Sequence, residues 1–226
     1  MAIRKPDGRV AAYEPLISHC VAAREIYLDT SSQAEDSAYI GYGKDGFYFD
    51  QSGIYRLCAV YTALDGSYVV SNTLNLRVRY PVTAADEELA DLYFGDDQGA
   101  LLYLLGSDSE YLNSGRTTFT KVVDKYPTNP MSQYARLVLG VNASREFKTI
   151  VEDRDTRLLV RKANADSSIQ NLTAAVDSNV LDSITTDMAA TLLADVQATY
   201  GDDRAAAETR KKIQRKAAAA KRASGS

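Results

Sequence analysis

The sequence has few of the residues on which acid–base and nucleophilic catalysis depend. Its 226 residues include one histidine, two cysteines and no tryptophan. The sequence contains no G-x-S-x-G nucleophile motif and no Walker A loop. His19 directly precedes Cys20, so their side chains would point to opposite faces of a strand and could not form a catalytic pair. We therefore predict a protein that is not an enzyme and that uses no cofactor.

Long apolar segments are also missing. The longest apolar run, residues 100–105, has six residues, whereas a membrane-spanning helix needs about 18 or more. The N-terminal segment MAIRKPDGRV lacks the apolar region of a signal peptide. These features predict a cytoplasmic protein without a membrane span, or an extracytoplasmic one if a leader has been removed.

The two cysteines, Cys20 and Cys58, both fall in strand-like segments. Two interpretations stay open at this point: a pair of buried free thiols, or a disulfide bridge between them. No cluster of cysteine and histidine has the spacing of a zinc site.

Residues 1–81 have the pattern of a β domain. Turn signals at residues 6–8 (PDG), 44–46 (KDG) and 65–66 (DG) separate runs rich in Tyr, Val and Ile. Residues 54–63 alternate, which places Tyr55 and Leu57 on the opposite face from Ile54. Several short strands with regular turns predict a two-sheet sandwich.

One segment of this domain, QSGIYRL at residues 51–57, resembles the D-S-G-x-Y-x-C segment at the entry to strand F of immunoglobulin domains. In that family the tyrosine hydroxyl bonds back to the backbone upstream, and Tyr55 matches that tyrosine. Leu57 stands at the cysteine position, and the core tryptophan is missing. The resemblance covers roughly residues 40–80 and implies an immunoglobulin-like (Ig-like) module of bacterial type.

From residue 82 the pattern becomes helical. Pro81 cannot extend a strand, and Thr83 followed by acidic residues predicts a helix start. About six helices packed as hairpins are expected over residues 82–201. The apolar stripes are Phe119, Val122, Val123 and Tyr126; Met131, Tyr134, Ala135 and Val138; Ile169, Leu172 and Val176; and Ile184, Met188, Leu192, Val196 and Tyr200.

Residues 121–140, KVVDKYPTNPMSQYARLVLG, resemble a tetratricopeptide-type (TPR-like) helical hairpin. Pro127 would stop the first helix, Asn129-Pro130 would start the second, and small Ala135 would permit close helix packing. Only one such unit is visible, so a repeat array is not expected. By this resemblance the hairpin implies binding to other proteins.

Charge is distributed unevenly along the chain. The net charge is −4, but residues 204–226 carry eight Lys or Arg against one Glu. Because this basic tail has one large apolar residue, Ile213, we expect a frayed helix or disordered end. Its cations could contact phosphates or an acidic partner, or they could simply be solvated. They are Arg210, Lys211, Lys212, Arg215, Lys216, Lys221 and Arg222.

Three acidic groups are candidates for other chemistry. They are residues 86–88, 96–97 and 202–203. Paired carboxylates serve glycosidases and metal sites, but acidic residues are equally typical of helix starts and caps. We expect the helix-end role at all three.

The sequence therefore predicts an α+β protein in three parts. An all-β Ig-like sandwich (residues 1–81) precedes an all-α domain with a TPR-like helical hairpin (82–201) and a basic tail (202–226). The predicted function is a protein–protein interaction or scaffold module of a bacterial assembly, with another protein as partner. The alternatives are nucleic-acid binding through the tail and a carboxylate-dependent hydrolase.

Overall fold

The structure, a computed structural model, describes residues 1–17, 38–63, 65–152 and 156–224. The chain forms two compact units, Met1–Tyr103 and Leu104–Ser226. Strands dominate the first 80 residues and helices dominate the rest, so the predicted mixed α+β class is confirmed.

The first unit contains eight short strands within its described residues. A four-stranded antiparallel sheet has the order β2-β1-β5-β8, while β3-β4 and β6-β7 form separate two-stranded sheets. The described strands form antiparallel sheets. The packing of two sheets face to face in a sandwich stays a prediction. The strands are β1 (Ala2–Arg4), β2 (Val10–Ala12), β3 (Tyr42–Gly43), β4 (Gly46–Phe47), β5 (Gly53–Cys58), β6 (Val60–Thr62), β7 (Tyr68–Val70) and β8 (Leu74–Val78).

The core of this sheet follows the predicted alternation. Tyr55 and Leu57 are buried together with Ile3 and Tyr48, whereas Ile54 is exposed on the other face. Because successive strand residues point to opposite faces, the alternation of β5 fixes which side faces the core.

Tyr55 forms the backbone contact that the resemblance implies. Its hydroxyl donates to the Gln51 carbonyl and accepts from the Gln51 N–H, both at 2.9 Å, and its ring is fully buried. We expect Tyr55→Phe to lower the free energy of unfolding by about 1–2 kcal/mol, because both Gln51 groups lose their partner. Tyr61→Phe, at a side chain 71% exposed, should change it by less than about 0.5 kcal/mol. Equal urea midpoints for the two variants would contradict this role.

Two helices follow the strands in the first unit, α1 (Ala84–Tyr93) and α2 (Asp96–Leu104). The predicted start at Thr83 is confirmed: Thr83 Oγ1 accepts from Asp86 N at 3.1 Å, and the Asp86 carboxylate accepts from Thr83 N at 3.0 Å. This reciprocal pair satisfies two N–H groups that the first turn would leave unpaired.

The second unit is mainly helical, but it is not all-α as predicted. Strands β9 (Phe147–Glu152) and β10 (Thr156–Arg161) form an antiparallel hairpin between helices. Their sequences, FKTIVE and TRLLVR, are rich in β-branched residues and include one aromatic residue, which favours strands over helices. The helical elements are a 3₁₀ helix (Glu110–Leu112), α3 (Asn113–Lys125), α4 (Pro130–Ser144), α5 (Ala165–Asp177), α6 (Ser183–Thr199) and α7 (Asp203–Ser224).

The turn between α3 and α4 has the predicted position. Helix α3 ends at Lys125, Asn129 caps α4 by accepting from Met131 N at 2.9 Å, and Pro130 occupies the first helical position. Proline fits there because its missing N–H would have no helical partner. Ala135 is fully buried, as the close packing of two helices requires.

Helix α6 buries only part of the predicted stripe. Val196 is buried and Leu192 packs against the core, but Met188 and Tyr200 are largely exposed. The buried side chains also include Ala189, Leu193 and Ala194. Four residues turn a helix by about 400°, so each step of four rotates by about 40° and a stripe of five positions spreads over about 160°. The alanines instead form a narrow face that admits neighbouring helices closely.

The basic tail is a helix that packs against α6, not the frayed or disordered end that we expected. Asp202 caps it by accepting from Ala205 N at 2.9 Å, and Ala206 is fully buried. Thr209 Oγ1 donates to Gln197 Oε1 at 3.1 Å. Among the described side chains of this helix, the buried or half-buried ones are Ala205, Ala206, Thr209 and Ile213.

Candidate contact surface and basic helix

The hairpin of β6 and β7 is built from residues that favour strands. Val60 pairs with Val70, Tyr61 with Val69, and Thr62 with Tyr68. β-Branched and aromatic residues pack well as cross-strand pairs, which stabilises such a ladder.

The turn of this hairpin is closed by local hydrogen bonds. Asp65 accepts from the Ser67 N–H at 2.9 Å and from the Ser67 hydroxyl at 2.6 Å. These bonds lower the pKa of Asp65, the hydroxyl having the larger effect. Gly66 has φ of +82°, which a side chain would disfavour. The predicted turn at Asp65-Gly66 is therefore confirmed.

Ser71 joins the hairpin to the four-stranded sheet. Its N–H donates to the Ala59 carbonyl and its hydroxyl accepts from the Ala59 N–H, both at 2.9 Å. Ala59 lies between β5 and β6 without belonging to either strand. The ladder is thus interrupted over residues 58–59 of one strand and 71–73 of the other, and Ser71 supplies the pairing there.

The six residues of this hairpin are all exposed. Tyr61 is 71% and Tyr68 is 69% exposed, and the three valines are each more than half exposed. Soluble proteins seldom expose contiguous apolar surface unless it contacts something. Tyrosine and valine bring large apolar area with little loss of side-chain entropy, which suits a protein contact.

The seven predicted cations all lie on α7, but their side chains differ in surroundings. Arg210 pairs with Asp195 at 3.0 Å and Lys212 with Asp177 at 3.8 Å. Lys211 and Arg215 are exposed. The structure describes only the helical backbone at Lys216, Lys221 and Arg222.

The two ion pairs connect the basic helix to acidic residues of the same unit. All four side chains are more than half exposed, so each pair contributes little stability. Their effect is to reduce the positive charge that the first turns of the helix present to a ligand. Lys211 and Arg215 remain the described cations best placed for an external phosphate.

The three acidic groups lie at helix starts. Asp86 and Glu87 are in the first turn of α1, Asp96 begins α2, and Asp202 caps α7. Hydrogen bonds from the Thr83 hydroxyl and backbone hold the pKa of Asp86 below its ordinary value. The helix-end interpretation is therefore confirmed for each group.

The predictions for His19 and Cys20 lie outside the described residues. Cys58 is a half-buried free thiol at the end of β5. Within the described part of the chain, no group of three or more His, Cys, Asp or Glu side chains is placed to hold a metal ion.

A cluster of hydrogen-bonded polar and charged side chains, centred on Asp108, was not predicted from the sequence. Asp108 lies before the 3₁₀ helix, and its side chain is 10% exposed. It accepts from Arg116 Nη1 at 2.6 Å, from Asn142 Nδ2 at 3.2 Å and from Arg161 Nε. Burial alone would raise the pKa of Asp108, but the bonds from Arg161 and Asn142 and the nearby guanidinium charges lower it.

Comparisons with known proteins identify no relative: no family model, curated protein or solved structure matches the chain. Among the helices of the described ranges, none combines the length and the apolar character that crossing a lipid bilayer requires.

Proposed function

We propose that the protein is a non-catalytic interaction or scaffold module that binds another protein through the β6–β7 hairpin. One observation carries the proposal: five large apolar side chains of a six-residue ladder are each more than half exposed. Leaving this area in water costs about 25 cal/mol per Å² relative to burying it, so a partner that covers it gains stability.

The position of the hairpin supports a protein partner over a small ligand. Both faces of the hairpin and its turn are exposed. An exposed element of this kind can enter a groove on another protein, whereas a small molecule needs a concave site that encloses it. Tyr61 and Tyr68 carry hydroxyls as well as rings, so they can hydrogen-bond at the rim of an interface. Aromatic anchors of this kind dominate binding energy at protein interfaces.

We also propose that the two units are of Ig-like and TPR-like type. The hydrogen bonds of the Tyr55 hydroxyl to Gln51 support the first, and the Pro127-to-Pro130 turn between α3 and α4 supports the second. By resemblance, both belong to contact modules of larger bacterial assemblies.

The experiment compares partner recovery by three versions of the full chain. Tyr61→Ser combined with Val69→Thr changes a cross-strand pair on one face of the hairpin. Tyr111→Ser is the matched control, because Tyr111 is 90% exposed on the 3₁₀ helix. We expect the hairpin variant to retain at least about ten-fold less of a stoichiometric partner than wild type does, because it loses two anchor contacts. The control should retain it fully.

Circular dichroism must show the same fold for all three versions. Equal recovery of one partner by wild type and hairpin variant would refute the hairpin as contact surface. Recovery of nucleic acid instead of a protein would support the alternative function, nucleic-acid binding through the basic tail. This alternative predicts that the double variant Lys211→Gln/Arg215→Gln loses nucleic-acid binding. It also predicts that the logarithm of the binding constant falls with the logarithm of the salt concentration with a slope of about −6, for about seven phosphate contacts.

A further inference from the structure

A solvent-open cavity of about 480 Å³ lies within the second unit. Parts of α3, α4 and α5 and the end of β10 form its wall. Its volume is within the range of about 300–1,000 Å³ typical of small-molecule sites. The cavity belongs to a different unit from the β6–β7 hairpin, so an inference about it is independent of the proposed function.

The wall of this cavity is rich in cations. The charged residues that line it are Asp108, Arg116, Asp124, Arg136, Arg161 and Lys162. Arg116 and Arg161 both bond the Asp108 carboxylate, so this trio retains one positive charge. Lys162 pairs with Glu146 at 2.8 Å. The lining as a whole therefore attracts an anion.

Arg136 differs from the other cations of the cavity. Its Nε is buried and has no hydrogen-bond partner, and its guanidinium forms no ion pair within the described ranges. Buried polar groups of folded proteins are nearly always hydrogen-bonded, and an unpaired one calls for an explanation. The Nε atom is closed off from solvent, so a ligand in the cavity would meet the terminal nitrogens of Arg136, whose charge no carboxylate of the described ranges neutralises.

We propose that this cavity binds the oxyanion group of a small molecule, a phosphate or a carboxylate, with Arg136 as its main charge contact. The two terminal Nη groups of a guanidinium form a planar pair of donors that matches two oxygens of such a group. Gln170, an exposed amide on α5 that also lines the cavity, can donate to a further oxygen.

Asp124 places a negative charge in the same cavity as the proposed anion. It is exposed on α3 and lines the same cavity. Its carboxylate opposes an incoming anion through charge repulsion. Asp124→Asn should therefore bind the anion more tightly than wild type, a result that a damaged fold would not produce.

The experiment titrates the full chain with inorganic phosphate and, separately, with succinate, at constant ionic strength adjusted with sodium chloride. Thermal unfolding and calorimetry report binding. At ten times Kd we expect the unfolding midpoint to rise by about 3 °C. Arg136→Gln should weaken binding at least about ten-fold, because it removes the charged contact. Arg145→Gln, at an exposed arginine directly after α4, should leave binding unchanged.

Each outcome has a defined meaning. Arg136-dependent binding of either probe supports the site, and the tighter probe identifies the group that it prefers. Arg136→Lys keeps the charge but loses the planar fork, so affinity equal to wild type would contradict two-point recognition. The site is disproved if neither probe binds at about 20 mM, a concentration well above the about 1 mM expected of a specific small-anion site. Equal weakening by Arg136→Gln and Arg145→Gln would disprove it too.

Discussion

Replacing Asp108 with asparagine should destabilise the second unit by about 2–4 kcal/mol. The substitution keeps the shape of the side chain but leaves Arg116 and Arg161 without their shared carboxylate. The loss is smaller than for a fully buried ion pair because the Arg161 side chain is 36% exposed and water screens it. Urea unfolding followed by circular dichroism gives the difference in midpoint.

The effect of Asp108→Asn should depend on pH. The pKa of Asp108 is lowered in the folded protein, so its carboxylate stabilises the fold at pH values above its unfolded pKa. This contribution is lost as the pH falls through the lower, folded pKa. The stability of wild type and variant should therefore converge in acid. A difference that stays constant from neutral to strongly acidic pH would contradict the charge-based explanation.

Glu110→Gln is the control for Asp108→Asn. Glu110 is an exposed carboxylate in the adjoining 3₁₀ helix. Its loss should change the free energy of unfolding by less than about 0.5 kcal/mol. An effect of Glu110→Gln as large as that of Asp108→Asn would mean that net charge, and not the buried cluster, is responsible.

Replacing Gly140 with valine should cost about 2–3 kcal/mol. A Cβ at this position of α4 would lie 2.9 Å from Leu172 Cγ and 3.1 Å from the Leu172 backbone N, so α5 would have to move. The movement would also disturb the buried bond from Ser168 Oγ to the Gly140 carbonyl, which measures 3.0 Å. Urea unfolding measures the loss.

A double-mutant cycle separates crowding from helix propensity. Leu172→Ala alone leaves a cavity, but combined with Gly140→Val it makes room for part of the new side chain. The double variant should therefore be less destabilised than the sum of the single variants, by about 1 kcal/mol. Strict additivity would show that the close approach of α4 and α5 is not what requires glycine.

The elements that could be predicted are those with a local cause. Thr83 and Asp86 cap α1 across three residues, and Asn129 with Pro130 starts α4 from adjacent positions. The alternation of β5 likewise needs only neighbouring residues. In each case the stabilising interaction lies within a few positions along the chain, where a sequence pattern is visible.

The features that could not be predicted depend on distant residues. Asp108 and Arg161 are 53 positions apart, and no spacing rule connects them. Among the described side chains of α7 the fully buried one is Ala206, a residue that looks featureless in a sequence but packs closely once α6 presents its own small residues. The β9–β10 hairpin was missed because the helical pattern on either side was extended across it.

The two-stranded form of the β6–β7 hairpin bears on how selectively it would recognise the proposed partner. Within the described residues it pairs with no third strand, so each strand has one edge of unpaired backbone groups. Backbone edges pair with any extended chain, whatever its side chains. A partner that adds a strand there would be recognised first by its conformation, and Tyr61 and Tyr68 would then discriminate among extended segments. Such recognition would tolerate changes in the sequence of the partner while rejecting helical segments.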